Sequence, residues 1–135
     1  MAVLIDASIF IAVERRGLPP SHAIALIGSE PAGLASITAS ELLAGVHRAD
    51  SPARRLRREA FVEAILASLP VLSFDLQAAR IPAEVTAHLA ASGQSIGAHD
   101  LLIAATALAN GSGVVTFNVR EFARVPGLVI EQPAW

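Results

Sequence analysis

Short apolar runs alternate with longer segments of mixed polarity along the 135-residue chain. Val3–Ile5 is apolar on both faces, and comparable short runs follow at Gly33–Ile37, Val71–Phe74, Gly113–Thr116 and Leu128–Ile130. Runs of this kind are typical of strands buried in a parallel sheet. Because helix-forming segments separate them, the pattern predicts an α/β fold, a three-layer α/β/α domain with a short, mostly parallel sheet of four to five strands.

Capping and helix-breaking residues set the predicted helix boundaries. Helices are expected over residues 8–16, 21–27, 38–49, 51–68, 75–91 and 100–110, with a helical turn at 121–125. Thr38-x-x-Glu41 has the pattern of a capping box, which places Glu41 in the first turn of the third helix. Asp75 is expected to cap the fifth helix, and Pro82 to kink or divide it. No linker divides the chain, so we expect one domain over residues 1–135.

Composition limits the class of protein. Apolar residues make up 53% of the chain, enough for a substantial core, and there is no cysteine. The lack of cysteine excludes disulfides, thiolate metal ligands and a thiol nucleophile, and it fits the reducing cytoplasm, where we expect the protein to act. No basic segment precedes the first apolar run, which Asp6 interrupts early, so we expect neither a signal peptide nor a membrane span.

The charged and aromatic residues narrow the modes of nucleic-acid binding. The formal net charge is −2, which does not support binding through bulk charge, and all ten basic residues are arginine. Arginine suits bidentate phosphate contacts, although genomic base composition explains the same bias. With five Phe, one Trp and no Tyr, a stacking platform for single-stranded RNA is not expected.

Acidic residues stand at the junctions of the most apolar segments. Asp6 closes the first strand, Glu41 and Asp100 lie near helix starts, and Asn118 and Glu121 follow a later strand. Each has a structural explanation as a capping, turn or surface residue. However, carboxyl ends of parallel strands share one edge of a sheet, where these side chains would meet. Because clustered carboxylates repel one another and oxygen ligands suit hard cations, the group predicts a divalent metal site.

Four segments, in this order and spacing, carry a resemblance to a known family. They are Leu4–Ile11, Ser36–Leu42, His99–Ala107 and Val115–Phe122. Through them the sequence resembles a PIN-domain ribonuclease, specifically a VapC-type toxin of a type II toxin–antitoxin system. The resemblance implies a Mg²⁺- or Mn²⁺-dependent endoribonuclease acting on transfer or ribosomal RNA and leaving 5′-phosphate and 3′-hydroxyl ends. It also implies a homodimer and neutralisation by a cognate VapB-type antitoxin.

The same resemblance assigns the expected site residues. It implies catalytic roles for Asp6, Glu41, Asp100 and Asn118, with Asp6 and Asp100 as the metal ligands. The fourth position is Asp in many members and Asn in others, so Asn118 lowers the negative charge and weakens any second metal site. Glu121 falls where some members carry a further acid. His99 stands where many have Asn, and either a substrate contact or an exposed helix-start histidine is open to it.

Hydroxyl and guanidinium groups complete the expected substrate site. Ser8 and Thr116 carry hydroxyls beside the acids and are expected to orient ligands or phosphate, with local bonding to the backbone as the alternative. Arg120 and Arg124 are expected to contact phosphates.

The densest basic stretch is open to two interpretations. Arg54, Arg55, Arg57 and Arg58 form it. One interpretation is a contact with the RNA backbone. The other, which we favour, is a solvated helix face paired with Glu59 and Glu63.

Other classes of protein also carry acids at strand ends. A phosphotransfer receiver domain needs a lysine, which the chain lacks, and a haloacid-dehalogenase-type phosphatase needs an Asp where Ser8 stands. Two alternatives stay open. The first is a PIN nuclease acting on DNA or in RNA processing, and the second is a catalytically weak module acting mainly within an antitoxin–operator complex.

Overall fold

Five short strands form one sheet in which every neighbouring pair is parallel. In the computed structural model, which describes all 135 residues, the strands are β1 (Val3–Ile5), β2 (Ala32–Ala35), β3 (Val71–Leu72), β4 (Gly113–Val115) and β5 (Ile130–Glu131). Their spatial order is β3-β2-β1-β4-β5, so β1 is the central strand. The predicted short, parallel sheet is therefore confirmed, and its carboxyl ends all lie at one edge.

Eight helices connect these strands and cover both faces of the sheet. They are α1 (Ala7–Arg15), α2 (Ser21–Ala25), α3 (Ser36–His47), α4 (Pro52–Ser68), α5 (Leu76–Ala79), α6 (Ile81–Ala91), α7 (Ala98–Ala109) and α8 (Val119–Phe122). Asp75 caps α5 through a 2.9 Å bond from the Ala78 N–H, and the long fifth helix is divided ahead of Pro82, as predicted. None of the helices has the length and apolar character needed to cross a membrane.

The alternation of side chains along the central strand separates two cores. Val3 and Ile5 pack with α1 to α4, whereas Leu4 packs with α6, α7 and α8 on the opposite face. Because successive strand side chains point to opposite faces, a three-residue strand supplies both layers. This arrangement is the predicted three-layer α/β/α fold.

The predicted start of the third helix is wrong. The helix α3 begins at Ser36, directly after β2, so Thr38 lies inside it and is not a capping residue. The Thr38 hydroxyl is buried without a hydrogen-bond partner. β2 ends at Ala35, which is also the N-cap, so the helix begins without an intervening loop and Thr38 lies with Leu42 and Val46 on its buried face. Glu41 consequently lies in the second turn of the helix.

Candidate active site

Asp6 is the buried centre of the carboxyl edge. It follows β1 and serves as the N-cap of α1, with its side chain accepting a 3.4 Å bond from the Ser8 N–H. Its Oδ2 accepts a 2.8 Å hydrogen bond from the hydroxyl of Thr116. Asp6 is only 5% exposed, and its own N–H is bonded to the carbonyl of Val115 in the neighbouring strand. The carboxylate is therefore held in place from both its backbone and its side chain.

Ser8 and Thr116 form a hydroxyl network beside Asp6. Their oxygens lie 3.2 Å apart. The Ser8 hydroxyl accepts the Phe117 N–H at 3.1 Å, and the Thr116 hydroxyl accepts the Asn118 N–H at 2.9 Å. The hydroxyls therefore bond the backbone after β4, and Thr116 also bonds Asp6, while their expected role toward a ligand or phosphate stays a prediction.

Asp100 and Asn118 meet across the same edge. Asp100 lies in the first turn of α7, whose N-cap is Gly97, and Asn118 precedes α8. The side-chain N–H of Asn118 donates a 3.0 Å bond to Oδ2 of Asp100. The amide therefore supports the charged form of the carboxylate, which an aspartate at this position could not do without protonation.

Glu41 reaches the edge from α3 with one oxygen unsatisfied. Its Oε1 is buried and has no hydrogen-bond partner. Nδ1 of His99 lies 3.4 Å from this oxygen, within ion-pair distance but outside hydrogen-bond geometry. Since His99 is 62% exposed, it shields Glu41 only from the solvent side.

Glu121 and Arg124 fasten α8 to the segment that leads into α7. Oε1 of Glu121 accepts the Gly97 N–H at 2.8 Å, and the guanidinium of Arg124 donates to the Ser95 carbonyl at 2.7 Å. Arg124 also lies 3.4 Å from the second oxygen of Glu121. One nitrogen of the Arg124 guanidinium is thus bound within the protein, and the phosphate contact expected of Arg124 stays a prediction. Arg120, in contrast, is exposed and in no ion pair.

The pKa shifts show that the carboxylates act on one another. Burial raises the pKa of Glu41, and the charge of Asp6 raises it further. Burial, then the charges of Asp6 and Glu121, raise the pKa of Asp100 to about 6, against a lowering effect of His99 and of the Asn118 hydrogen bond. Asp6 contributes to both shifts, so Asp6, Glu41 and Asp100 lie close enough to act on one another through their charges.

The chemistry of this group fits a hard divalent cation. It offers buried or half-buried carboxylates, the unsatisfied Oε1 of Glu41 and mutual repulsion that a cation would relieve. No three Asp, Glu or His side chains are arranged to hold an ion by themselves. Asp6 and Asp100 remain the predicted ligands.

Comparison with known proteins identifies the family. The family model described as "PIN domain" matches residues 3–128. The chain belongs to the PIN-domain family. Among curated proteins, this PIN domain is 35% identical over 130 residues to ribonuclease VapC1 of Rickettsia felis, covering 96% of this chain and 95% of that protein. It is 42% identical over 98 residues to the tRNA(fMet)-specific endonuclease VapC of Salmonella typhimurium, covering 73% and 72%.

Solved structures place the PIN domain among the same relatives. DNA-bound VapBC from Salmonella typhimurium superposes with a TM-score of 0.83 at 32% identity, over 97% of each chain. VapBC-5 from Mycobacterium tuberculosis gives a TM-score of 0.74 at 31% identity, over 96% of this chain and 95% of that one.

A narrow cleft adjoins the carboxylates of the PIN domain. It has a volume of about 250 Å³ and lies between α1, α3 and α4, with Glu41 among its lining residues. Also in the lining of the cleft, Arg58 pairs with Glu14 at 3.2 Å and donates to the Gly45 carbonyl at 2.9 Å. Arg54 pairs instead with Asp50. The predicted pairing with Glu59 and Glu63 is wrong, because Arg54 pairs with Asp50 four residues before it and Arg58 pairs with Glu14 in α1.

Two contributors to the site were not found from the sequence. Phe117 was assigned no role, although its N–H binds Ser8. Glu121 was noted only as a further acid, whereas it binds Gly97 across 24 residues. Nothing in the sequence around Gly97 predicts that its N–H binds Glu121, because the contact depends on how two loops meet. The sequence shows only that a glutamate stands close to the Asn118 turn.

Proposed function

We propose that this chain is a metal-dependent endoribonuclease toxin of the VapC type, folded as a single domain over residues 1–135. The main support is the convergence of Asp6, Glu41 and Asp100 at the carboxyl edge, where burial and mutual charge raise the pKa values of the last two. The names of the relatives, ribonuclease VapC1 and tRNA(fMet)-specific endonuclease VapC, give the reaction class and point to transfer RNA, with ribosomal RNA as a further candidate substrate.

Asp6 and Asp100 would hold Mg²⁺ or Mn²⁺ in this proposal. When bound, the cation supplies positive charge to the scissile phosphate and lowers the pKa of a water molecule. The hydrogen bond from Thr116 fixes the orientation of Asp6, and the amide of Asn118 fixes that of Asp100.

Glu41 is the proposed general base. Its Oε1 has no hydrogen-bond partner, and its raised pKa brings it closer to the working pH, as a proton acceptor requires. The proton of the attacking water passes to this oxygen as the water oxygen bonds to phosphorus. The bond between phosphorus and the 3′-oxygen breaks, and the departing oxygen takes a proton from solvent water, which leaves a 5′-phosphate on one product and a 3′-hydroxyl on the other. Arg120 is the proposed phosphate contact beside this group.

The proposed partners follow from the relatives. Solved structures of VapBC from Salmonella typhimurium and Mycobacterium tuberculosis contain related chains in complexes, the first bound to DNA. On this ground we include a VapB-type antitoxin in the proposal, and we keep the homodimer and the cytoplasmic location that the sequence led us to expect.

Cleavage of labelled RNA by the purified protein tests this function. With Mg²⁺, the wild type is expected to cut transfer RNA, whereas Asp6→Asn and Asp100→Asn fold normally and lose cleavage by about 100-fold or more. Asp50→Asn is the matched control, because Asp50 is exposed and pairs only with Arg54. Full activity in either site variant would contradict the assignment.

Asn118 supports one competing function. A fourth carboxylate is replaced by an exposed amide, so the chain could act mainly by binding within an antitoxin–operator complex. That function predicts no metal-dependent cleavage by the free protein and unchanged operator binding by a complex containing Asp6→Asn. Equal cleavage of RNA and DNA strands of one sequence would instead favour a nuclease outside the toxin class.

A further inference from the structure

Trp135 connects three separate parts of the chain next to the carboxyl edge. It is the only tryptophan and follows β5. The guanidinium carbon of Arg16, which caps the end of α1, lies 4.0 Å from the Trp135 ring centroid. The rings of His22, in α2, and Phe117 approach with centroid distances of 5.6 and 5.7 Å, both edge to face. Such contacts are directional, so they fix an orientation as well as a distance.

Phe117 links this cluster to the site. It lies between Thr116 and Asn118, the two residues whose side chains bond to Asp6 and Asp100 respectively. Its N–H is held by the Ser8 hydroxyl, and its ring packs at the margin of the core beneath α1. The position of the Phe117 ring therefore sets the path of the backbone that carries both neighbouring side chains.

The segment that ends in Trp135 also contacts the backbone of residues 116–118. The Thr116 N–H donates a 3.0 Å bond to the carbonyl of Glu131, at the end of β5. From there the chain continues until Trp135 reaches Phe117. Residues 116–118 have left the regular pairing of β4, and Asn118 is exposed with φ −90° and ψ 51°, outside helix and strand geometry. Hydrogen bonds of Phe117 and Asn118 hold the backbone of this turn, and Trp135 adds a contact to the ring of Phe117.

We propose that Trp135 is a positioning residue of the nuclease site, which holds residues 116–118 through Phe117 and so keeps Thr116 against Asp6 and Asn118 against Asp100. This inference rests on the proposed function. It assigns Trp135 no contact with the RNA. An aromatic ring is required because Arg16 lies over the ring of Trp135, and His22 and Phe117 contact it edge to face.

Steady-state RNA cleavage by Trp135→Ala and Trp135→Phe tests the proposal. The kinetics are measured below the unfolding temperature of each variant. Trp135→Ala is expected to lower kcat about 10-fold with KM within about 2-fold, since the reacting groups lose alignment while phosphate contacts remain. Trp135→Phe restores a ring and is expected to keep kcat within about 3-fold of the wild type. Leu76→Ala is the control, because Leu76 is 68% exposed in α5 and is expected to change neither constant.

Wild-type constants in Trp135→Ala would overturn the proposal, and so would an equal loss in Leu76→Ala. An increase in KM without a loss in kcat would also overturn it, because that result indicates direct RNA binding.

Fluorescence gives a second readout that does not depend on cleavage. Because Trp135 is the only tryptophan, its emission is expected to change on Mg²⁺ titration of the wild type and to stay constant in Asp6→Asn. Phe117→Leu is expected to reduce the change. If the wild type cleaves no RNA, the proposed function fails, and this titration alone decides whether Trp135 is coupled to the site. An emission independent of Mg²⁺ in a protein that binds Mg²⁺ by calorimetry would contradict the coupling.

Discussion

The hydroxyl of Thr116 donates a 2.8 Å hydrogen bond to Oδ2 of Asp6, across 110 residues of sequence. Both residues are buried; Asp6 follows the central strand β1, and Thr116 follows the neighbouring strand β4. Parallel pairing of β1 with β4 places Ile5 opposite Val115, so the next residue of each strand meets its counterpart. The contact is therefore a direct product of strand register.

Removing the Thr116 hydroxyl tests whether this contact serves catalysis. Thr116→Val keeps the shape of the side chain but frees Asp6 and the Asn118 N–H, and we expect kcat to fall about 10-fold to 100-fold. Thr106→Val is the matched control, because Thr106 is also buried but its hydroxyl donates to the Leu102 carbonyl within α7. Equal losses in the two variants, measured by RNA cleavage, would assign the effect to general destabilisation.

The repulsion around Asp100 predicts a pH-dependent stability of the metal-free protein. Its pKa rises from 3.8 to about 6 on folding, so the folded state binds the proton more tightly than the unfolded state between these values. Stability from this group is therefore greatest below pH 3.8 and is lost as the pH rises through about 6. Asp100→Asn removes the repulsion. In EDTA, the melting temperature of this variant is expected to exceed that of the wild type at pH 7.5.

Comparing the variant with the wild type isolates this one group from other titrations. The difference in melting temperature is expected to shrink as the pH falls from 7.5 to 5, because the wild-type carboxyl then becomes protonated. A difference that stays constant or widens over this range would contradict the raised pKa.

Divalent cations are expected to stabilise the wild type at pH 7.5. At ten times Kd, Mg²⁺ binding to the folded state alone contributes about 1.4 kcal/mol, which calorimetric melting detects. Asp6→Asn and Asp100→Asn should lose this gain, whereas Asp50→Asn should keep it. Calcium at the same ionic strength separates specific binding from screening, since a smaller stabilisation is expected where the site favours the smaller ion.

Substitutions of Arg120 and of Arg124 are expected to affect RNA binding and cleavage in different ways. Arg120→Ala removes an exposed charge and should raise KM and weaken the salt dependence of RNA binding. Arg124→Ala releases Glu121 and the Ser95 carbonyl, so it should lower kcat by about 10-fold while leaving the salt dependence unchanged. Binding and cleavage measured from 50 to 200 mM salt distinguish the two, and identical behaviour would contradict the separate roles.

The sequence predicted those features of the fold that depend on the local pattern of apolar and acidic residues. Short apolar runs identified every strand, and acids beside them indicated the edge where Asp6 and Asp100 meet. Strand and helix ends were less accurate, as at Ser36. β2 leads directly into α3 there with Ala35 as the N-cap, so the capping signal of Thr38 is not used.

Contacts between distant segments were not predictable. Arg124 carries the same charge whether it binds phosphate or the Ser95 carbonyl, and only the meeting of two loops decides between them. Arg58 likewise pairs with Glu14, 44 residues away, although two glutamates lie close by in its own helix. Trp135 gave no signal, because its partners are brought to it by the fold.

The placement of Asp6 after the innermost strand has a consequence for motion. Its amide lies in the centre of the sheet, so we infer that its hydrogen exchange requires opening of the whole domain, whereas the turns carrying Asn118 and Gly97 exchange through local fluctuation. Sequence changes in the outer turns are then expected to leave the position of Asp6, the proposed metal ligand, unchanged.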